Sequence, residues 1–473
     1  RQYDAVVANP PYMGGKYFNE RLKTLASELY EDGKADLYAC FTLRNIQFAK
    51  TNGLIGMIII PNWMFLSSFE GLRRTLFEHQ TIDTFVHNGR GVWGSDFGSC
   101  NFTIRNVSLP NYKGVFRRLF DKQGSVASNE ELERRFAEVK AYLVSPMDLK
   151  RIPGNPVAYW ASEGVRSLFM KHEPLNRVAN LRQGMSSGNG DKYVRFWHEV
   201  CLTKCQLPYR EKSLAHSPTF KWYPYNKGGQ YRKWYGNRDY VINFENDGEA
   251  MKLDATTGQN KGYRMVSKEW FFQPGITWTD VSSTFLGARS LGQGFIFENT
   301  GSMIFPRSVS REAILGFLCS KVSSHLMGLL NPTVHFTVGE IKKLPFLSLG
   351  SQVVEIVKTL IEIHQEDWDS SETSWDFQQS PLLSIPGRIK AVEEAYTVWA
   401  NYCNSIIART RVLEEENNRL FNDAYGLQDE LSPEVPEDQI TLARPDREED
   451  IKRLISYAIG CMMGRYSLDK PGL

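Results

Sequence analysis

Asn9-Pro10-Pro11-Tyr12 is the segment of this chain whose residue types and spacing suit a specific chemistry. An exocyclic amine on an aromatic ring is a poor nucleophile, because its lone pair is delocalised into the ring. Two acceptors about 3 Å from the amine hydrogens draw it towards tetrahedral geometry and localise that lone pair. The side-chain oxygen of Asn9 and the backbone carbonyl of Pro10 can supply them. The diproline, Pro10-Pro11, stiffens the backbone, so the acceptors are in place before a substrate arrives. Tyr12 then offers a flat face on which a flipped base stacks. The plainer reading of the same four residues is a diproline turn after a strand.

Such a loop needs a rigid support, and the flanking sequence supplies one. Ala5-Val6-Val7-Ala8 is a short, β-branched apolar run and reads as a buried strand of a parallel sheet. It must stop at Asn9, because proline has no N–H for a sheet ladder. The loop thus falls at the carboxyl end of a strand, where open α/β sheets bind their ligands. Downstream, residues 36–41 open a helix, 54–61 form an apolar strand and 69–78 a second helix. Residues 81–88, 100–106 and 113–120 read as further strands, and Ser128 caps an acidic helix start. Ile152-Pro153-Gly154-Asn155-Pro156 breaks the chain before a new domain.

With 473 residues the chain has room for two or three domains. The apolar share of 42% and charged share of 23% are those of an ordinary globular protein. No apolar run approaches the roughly 20 residues of a membrane helix, and no signal peptide opens the chain. No membrane partner is therefore expected, and the location is read as cytoplasmic. The seven cysteines are scattered, and only Cys201 and Cys205 lie close together, without a second pair at zinc spacing. They read as free thiols, and no metal site is expected. The absence of a Pro-Cys dipeptide speaks for direct transfer to an amine, with no covalent intermediate on the protein.

From about Tyr159 the composition turns aromatic, glycine-rich and basic. Residues 221–237 interleave Lys221, Lys227, Arg232 and Lys233 with Trp and Tyr, as a surface that meets phosphates and bases would. Arg182, Lys192, Arg195, Arg289, Arg307 and Arg311 add to that local excess in a chain whose net charge is only +2. The alternative is an aromatic β core with a solvated basic face. Gly184 to Gly190 is rich in glycine, but it follows a basic segment rather than a buried strand, which disfavours a phosphate cradle. Residues 352–366 and 389–420 have apolar positions at helical spacing, the second with Val392, Ala395, Tyr396, Trp399, Cys403, Ile406 and Ile407 on one face. The run Glu414-Glu415-Glu416 reads as a solvated face.

Asn-Pro-Pro-Tyr after an apolar strand, followed by this order of elements, resembles the catalytic signature of adenine-modifying DNA methyltransferases. Residues 221–237, the stretch from Tyr425 to Pro436 and that from Ile455 to Leu473 narrow the resemblance to the BREX-system adenine-specific methyltransferases, the PglX family. The resemblance implies a fold class of α/β: a partial Rossmann-like methyltransferase sheet, then a mixed α/β target-recognition domain and C-terminal helices. The expected domains are residues 1–155, 156–350 and 351–473. It implies Asn9, Pro10, Pro11 and Tyr12 as catalytic residues, Tyr12 and Trp93 as the stack on the target base, with Phe97 as second choice to Trp93, and Phe41 against the cofactor adenine. DNA contact falls to Arg182, Lys192, Arg195, Lys221, Lys227, Arg232, Lys233 and Arg289.

The implied cofactor is S-adenosyl-L-methionine, and the implied partners are double-stranded DNA and other BREX proteins. Arg1 is no initiator, and no strand with a glycine loop and later acidic strand end occurs downstream; the chain is expected to be a C-terminal portion that starts at the Asn-Pro-Pro-Tyr motif. Three other readings stay open at this point. They are a restriction-modification enzyme with its own nuclease, a methyltransferase of protein glutamine amides, and a DNA-binding module inactive without a cofactor-binding half.

Overall fold

The computed structural model describes all residues except 93–96, 122–123, 125, 127, 208–219, 283–284, 386–390, 471 and 473. Two compact units emerge: residues 1–172 with 327–332, and residues 173–326 with 333–473.

The first unit is built on a six-stranded mixed sheet. Its strands are β1 (Tyr3–Ala8), β2 (Ala49–Ile59), β3 (Thr81–Gly89), β4 (Ser99–Arg105), β5 (Gly114–Arg118) and β6 (Tyr142–Val144), in the spatial order β1-β2-β4-β3-β5-β6. β1 runs parallel to β2, and β4 lies antiparallel between β2 and β3. The helices are α1 (Glu20–Leu29), α2 (Leu37–Phe48), α3 (Glu70–His79), α4 (Asn129–Glu138), α5 (Pro146–Lys150) and α6 (Glu163–Lys171). Alternation along β2 sends Ile55, Met57 and Ile59 into a core shared with Phe85, Phe102, Ile104 and the α3 residues Leu72, Leu76 and Phe77. Arg73, also on α3, is buried and donates to the carbonyls of Trp63, Leu66 and Gly154, which fixes the turn after β2. Ser128 caps α4 as its sequence predicts, accepting from Glu131 N–H at 3.2 Å.

One expectation needs correction here. β1 is parallel as read, but it is not buried: it stands at the sheet edge with Val7 84% exposed and Tyr3 half-exposed. An apolar run marks a strand by the β preference of its side chains, while burial depends on what covers both its faces and its free edge.

The second unit holds two four-stranded sheets. Its strands are β7 (Ala179–Arg182), β8 (Val194–Phe196), β9 (Trp222–Asn226), β10 (Tyr240–Asn243), β11 (Gly275–Trp278), β12 (Ala288–Leu291), β13 (Ile296–Phe297) and β14 (Met303–Pro306). One sheet has the order β13-β9-β10-β8 and the other β12-β11-β14-β7. The remaining helices are α7 (Gly190–Tyr193), α8 (Glu249–Thr256), α9 (Arg311–Leu318), α10 (Lys321–Leu330), α11 (Val338–Ile341), α12 (Ser351–Asp369), α13 (Val392–Tyr425) and α14 (Arg447–Met462). α13 runs five residues beyond its predicted end and stops where Gly426 takes a φ of +67°. Glu414, expected on a solvated face, is buried instead: it lies on the stripe Ile407, Thr410, Glu414, Asn417 and Phe421 that α13 turns inward.

Among the described residues no single helix is long and apolar enough to cross a membrane. α9 and α10 reach that composition only as a pair bent by 66°.

Candidate active site and nucleic-acid interface

β1 ends at Ala8 and releases the chain into the predicted loop. Asn9 is exposed, Pro10 is buried, and Pro11 and Tyr12 are exposed. The Tyr12 hydroxyl lies 3.2 Å from Asn9 Oδ1 and 3.3 Å from the carbonyl oxygen of Ile58 at the end of β2. A phenol has one proton, so it serves one of these acceptors at a time. Partial burial, and then the Cys100 thiol, push the Tyr12 hydroxyl above its ordinary pKa, which keeps that proton in place. Donation to Oδ1 orients the Asn9 amide; donation to Ile58 leaves Oδ1 open to another donor.

Tyr12 is 46% exposed and rests edge-on against Tyr38, at 6.1 Å and 78°, while Tyr38 stacks on Phe69 at 5.5 Å. The aromatic ring that would hold a base is thus supported from behind by two buried rings. Asp36 caps α2 and also accepts from Met13 N–H at 3.0 Å. Phe41 follows on the same helix, 40% exposed. Trp93 lies outside the described residues; Phe97, beyond it, is 74% exposed. On β3, His87 is buried against Phe120 and within 3.3 Å of the Tyr159 hydroxyl. Burial, with Arg118 adding to it, holds its pKa at about 3, so this imidazole stays neutral and structural.

For a nucleoside-type cofactor, Phe41 offers a partly exposed aromatic ring. Among the described residues of this unit no glycine loop after a buried strand accompanies it. The fit is therefore partial.

The basic residues of the second unit divide into two groups. Lys192, Arg195, Lys221, Lys227 and Arg182 keep part of their surface accessible. Lys192 pairs with Asp254, Arg195 donates to the carbonyls of Asp191 and Val194, and Arg182 lies 5.0 Å over Trp270. Lys221 sits over Trp222, and Lys227 sits 5.2 Å over Tyr240.

The other three turn inward, and the two that are buried, Lys233 and Arg289, correct the sequence reading. Lys233 is buried in an ion pair with Glu414, whose second oxygen accepts from Trp234 Nε1 at 2.7 Å. Arg289 has no exposed surface and donates to Thr279 Oγ1 and to the carbonyls of Arg232 and Gly287. Its burial, with the neighbouring Arg232 charge, pushes its pKa down to about 10. Arg232 is largely covered, paired with Asp367 at 3.2 Å and lying 5.0 Å over Trp368. Arg232 and Lys233 tie the segment between β9 and β10 to α12 and α13, and the buried Lys233 and Arg289 cannot reach DNA from where they stand.

Lys227 also heads a stack of three rings that composition did not single out. Lys227, Tyr240, Phe196 and His198 form a continuous column, with Tyr240 and Phe196 stacked at 4.8 Å and Phe196 and His198 at 5.5 Å. Tyr240 pairs with Phe196 across β10 and β8. Phe196 and His198 are exposed.

Comparison with known proteins places the chain. It is 36% identical to the adenine-specific methyltransferase PglX of Lacticaseibacillus casei strain Zhang, over all of this chain and 40% of that protein. The chain belongs to the PglX family. It is also 34% identical to the adenine-specific methyltransferase BrxX of Escherichia coli O9:H4 strain HS, again over its whole length and 39% of that relative. It thus spans about two fifths of the PglX-family proteins it matches. Residues 1–93 match the family of Eco57I restriction-modification methylases, which brackets the Asn9 loop, Asp36 and Phe41. In fold, the chain is similar to the type IIL restriction-modification enzyme MmeI, solved in complex with DNA. That likeness has a TM-score of 0.51 at 10% identity and covers 97% of this chain and 57% of MmeI.

Within this PglX-family chain the structure brings Asn9, Pro10, Pro11 and Tyr12 together and backs them with Asp36 and Tyr38. The sequence placed Asp36 at the start of a helix; its bond to Met13, across 23 residues, had no local signal. The Phe196–Tyr240 stack had no sequence signal, because it depends on cross-strand register.

Proposed function

We propose that the chain carries the catalytic loop and target-recognition elements of a site-specific DNA adenine methyltransferase of a BREX phage-defence system. The observation that carries this reading is the exposed Asn9 side chain at the carboxyl end of β1, with Tyr12 rigidly backed beside it. The names of the 36% and 34% identical relatives support it.

Asn9 Oδ1 and the Pro10 carbonyl accept the two hydrogens of the adenine N6 amine and localise its lone pair. The Tyr12 hydroxyl turns to Ile58 and frees Oδ1 for that task. The Tyr12 ring holds the flipped base, with Trp93 as its second face. When bound, S-adenosyl-L-methionine supplies the electrophilic methyl group, and Phe41 is the residue of this chain that would stack on its adenine. No covalent bond to the protein forms.

Residues 156–350 serve as the target-recognition domain, between the catalytic residues 1–155 and the helical residues 351–473. Double-stranded DNA is met by Arg182, Lys192, Arg195, Lys221 and Lys227, together with the Phe196 column. Other BREX proteins are the partners, and the cytoplasm, where the DNA is, is the location.

The test uses the full-length protein, labelled S-adenosylmethionine and host DNA, with sequencing of the methylated adenines. Methyl groups on N6 of adenine at one recurring site are expected. Label on protein instead of DNA would favour the glutamine-amide reading, and DNA cleavage in the same tube would favour the fused nuclease.

A further inference from the structure

We propose that Asp36 is a positioning residue that locks the base-binding loop to the helix carrying Phe41. The proposal rests on the methyltransferase reading above and deepens it. The three residues after Tyr12 are strapped to the residues that lead into α2. Met13 N–H donates to Asp36 Oδ1 at 3.0 Å, Leu37 N–H donates to the Met13 carbonyl at 2.9 Å, and Gly15 N–H donates to the Ala35 carbonyl at 2.9 Å. Gly14 and Asp36 form a β-bridge. The approach is so close that a Cβ on Gly15 would lie 2.7 Å from the Lys34 carbonyl oxygen, so only glycine fits there.

Asp36 is the one side chain in this strap, and it works in two directions. Towards α2 it caps the helix at Tyr38 N–H, 3.4 Å away; towards the loop it holds Met13. Serine or threonine would cap equally well, so the cap alone does not call for the longer side chain that also reaches Met13. Burial raises the Asp36 pKa, and the backbone N–H groups of Met13, Tyr38 and Leu37 oppose that shift. The carboxylate therefore sits where desolvation disfavours it and backbone donors from both segments hold it.

The mechanical consequence follows from adjacency. Met13 is the neighbour of Tyr12, whose ring rests on Tyr38, two residues into the same helix. A displacement of α2 at Phe41 moves Asp36, and with it the backbone that aims Tyr12 and Asn9. Contact at Phe41 and base-holding at Tyr12 are thus coupled, and such coupling is reciprocal.

The experiment uses full-length protein and duplex DNA with 2-aminopurine at the methylated position, whose fluorescence rises when the base leaves the stack. Asp36→Asn keeps an oxygen in place and should retain wild-type fluorescence and kcat within about threefold, as a preserved hydrogen bond implies. Asp36→Ser keeps the cap but is too short to reach Met13. It should lose most of the fluorescence rise and about 100-fold in kcat, the scale of a misplacement of about 1 Å, with KM for DNA unchanged. Thermal melting checks that the Asp36→Ser protein is folded. Wild-type fluorescence and kcat in Asp36→Ser would overturn the proposal, as would an Asp36→Asn protein as defective as Asp36→Ser. If the wild type itself methylates no adenine, the functional reading fails and takes this proposal with it.

Discussion

The Asn9–Tyr12 loop and the basic, aromatic residues 221–237, with Arg238 next to them, are treated by the fold in opposite ways. The loop keeps its polar groups outward: Asn9 is exposed, and its side-chain partner, Tyr12, is three residues away. The basic segment turns three of its five cations inward. Lys233 reaches Glu414, 181 residues on; Arg232 reaches Asp367, 135 residues on; Arg238 reaches Asp376, 138 residues on. A short motif whose chemistry is local survives translation into three dimensions. A composition does not, because distant carboxylates decide which of its charges face water.

The largest expected effect tests the inward side of this contrast. Glu414→Ala leaves Lys233 buried without its counter-charge and Trp234 Nε1 without its acceptor. Breaking one side of a buried pair costs about 3–5 kcal/mol, so a marked loss in urea midpoint is expected, with little change in the salt dependence of DNA binding. Next comes the outward side. Asn9→Ala in the full-length protein should lower methyl transfer by about 10²–10³, the scale of one lost polarising group, while a gel shift still shows DNA binding. Wild-type turnover in that variant would remove Asn9 from the mechanism.

A third comparison sets two lysines of the same segment against each other. Lys227→Ala should leave stability within about 0.5 kcal/mol and reduce the slope of log binding against log salt by about 0.9, as one lost phosphate contact does. Lys233→Ala should instead destabilise the protein and leave the slope as it was. Identical behaviour of the two would break the distinction drawn here. The smallest effect concerns the Tyr12 hydroxyl. Tyr12→Phe keeps the stacking ring and removes one hydrogen bond worth about 1 kcal/mol, so single-turnover methylation should slow about fivefold.

The sequence by itself determined the loop, its place after a strand, and most of the helices and strands of residues 1–172. Prolines end a ladder wherever they stand, alternation and helical spacing are properties of neighbouring residues, and Ser128 caps because its own position demands it. Part of what was missed was also written locally: Glu414 falls at helical spacing between Ile407, Thr410, Asn417 and Phe421, on the stripe that α13 buries. The tertiary structure alone decided that Lys233 and Arg289 are buried and that Phe196 meets Tyr240. Each of these depends on which distant element lies alongside. Pairing between segments distant in the chain is fixed by the packing of the whole unit, and no local pattern of residue types encodes it.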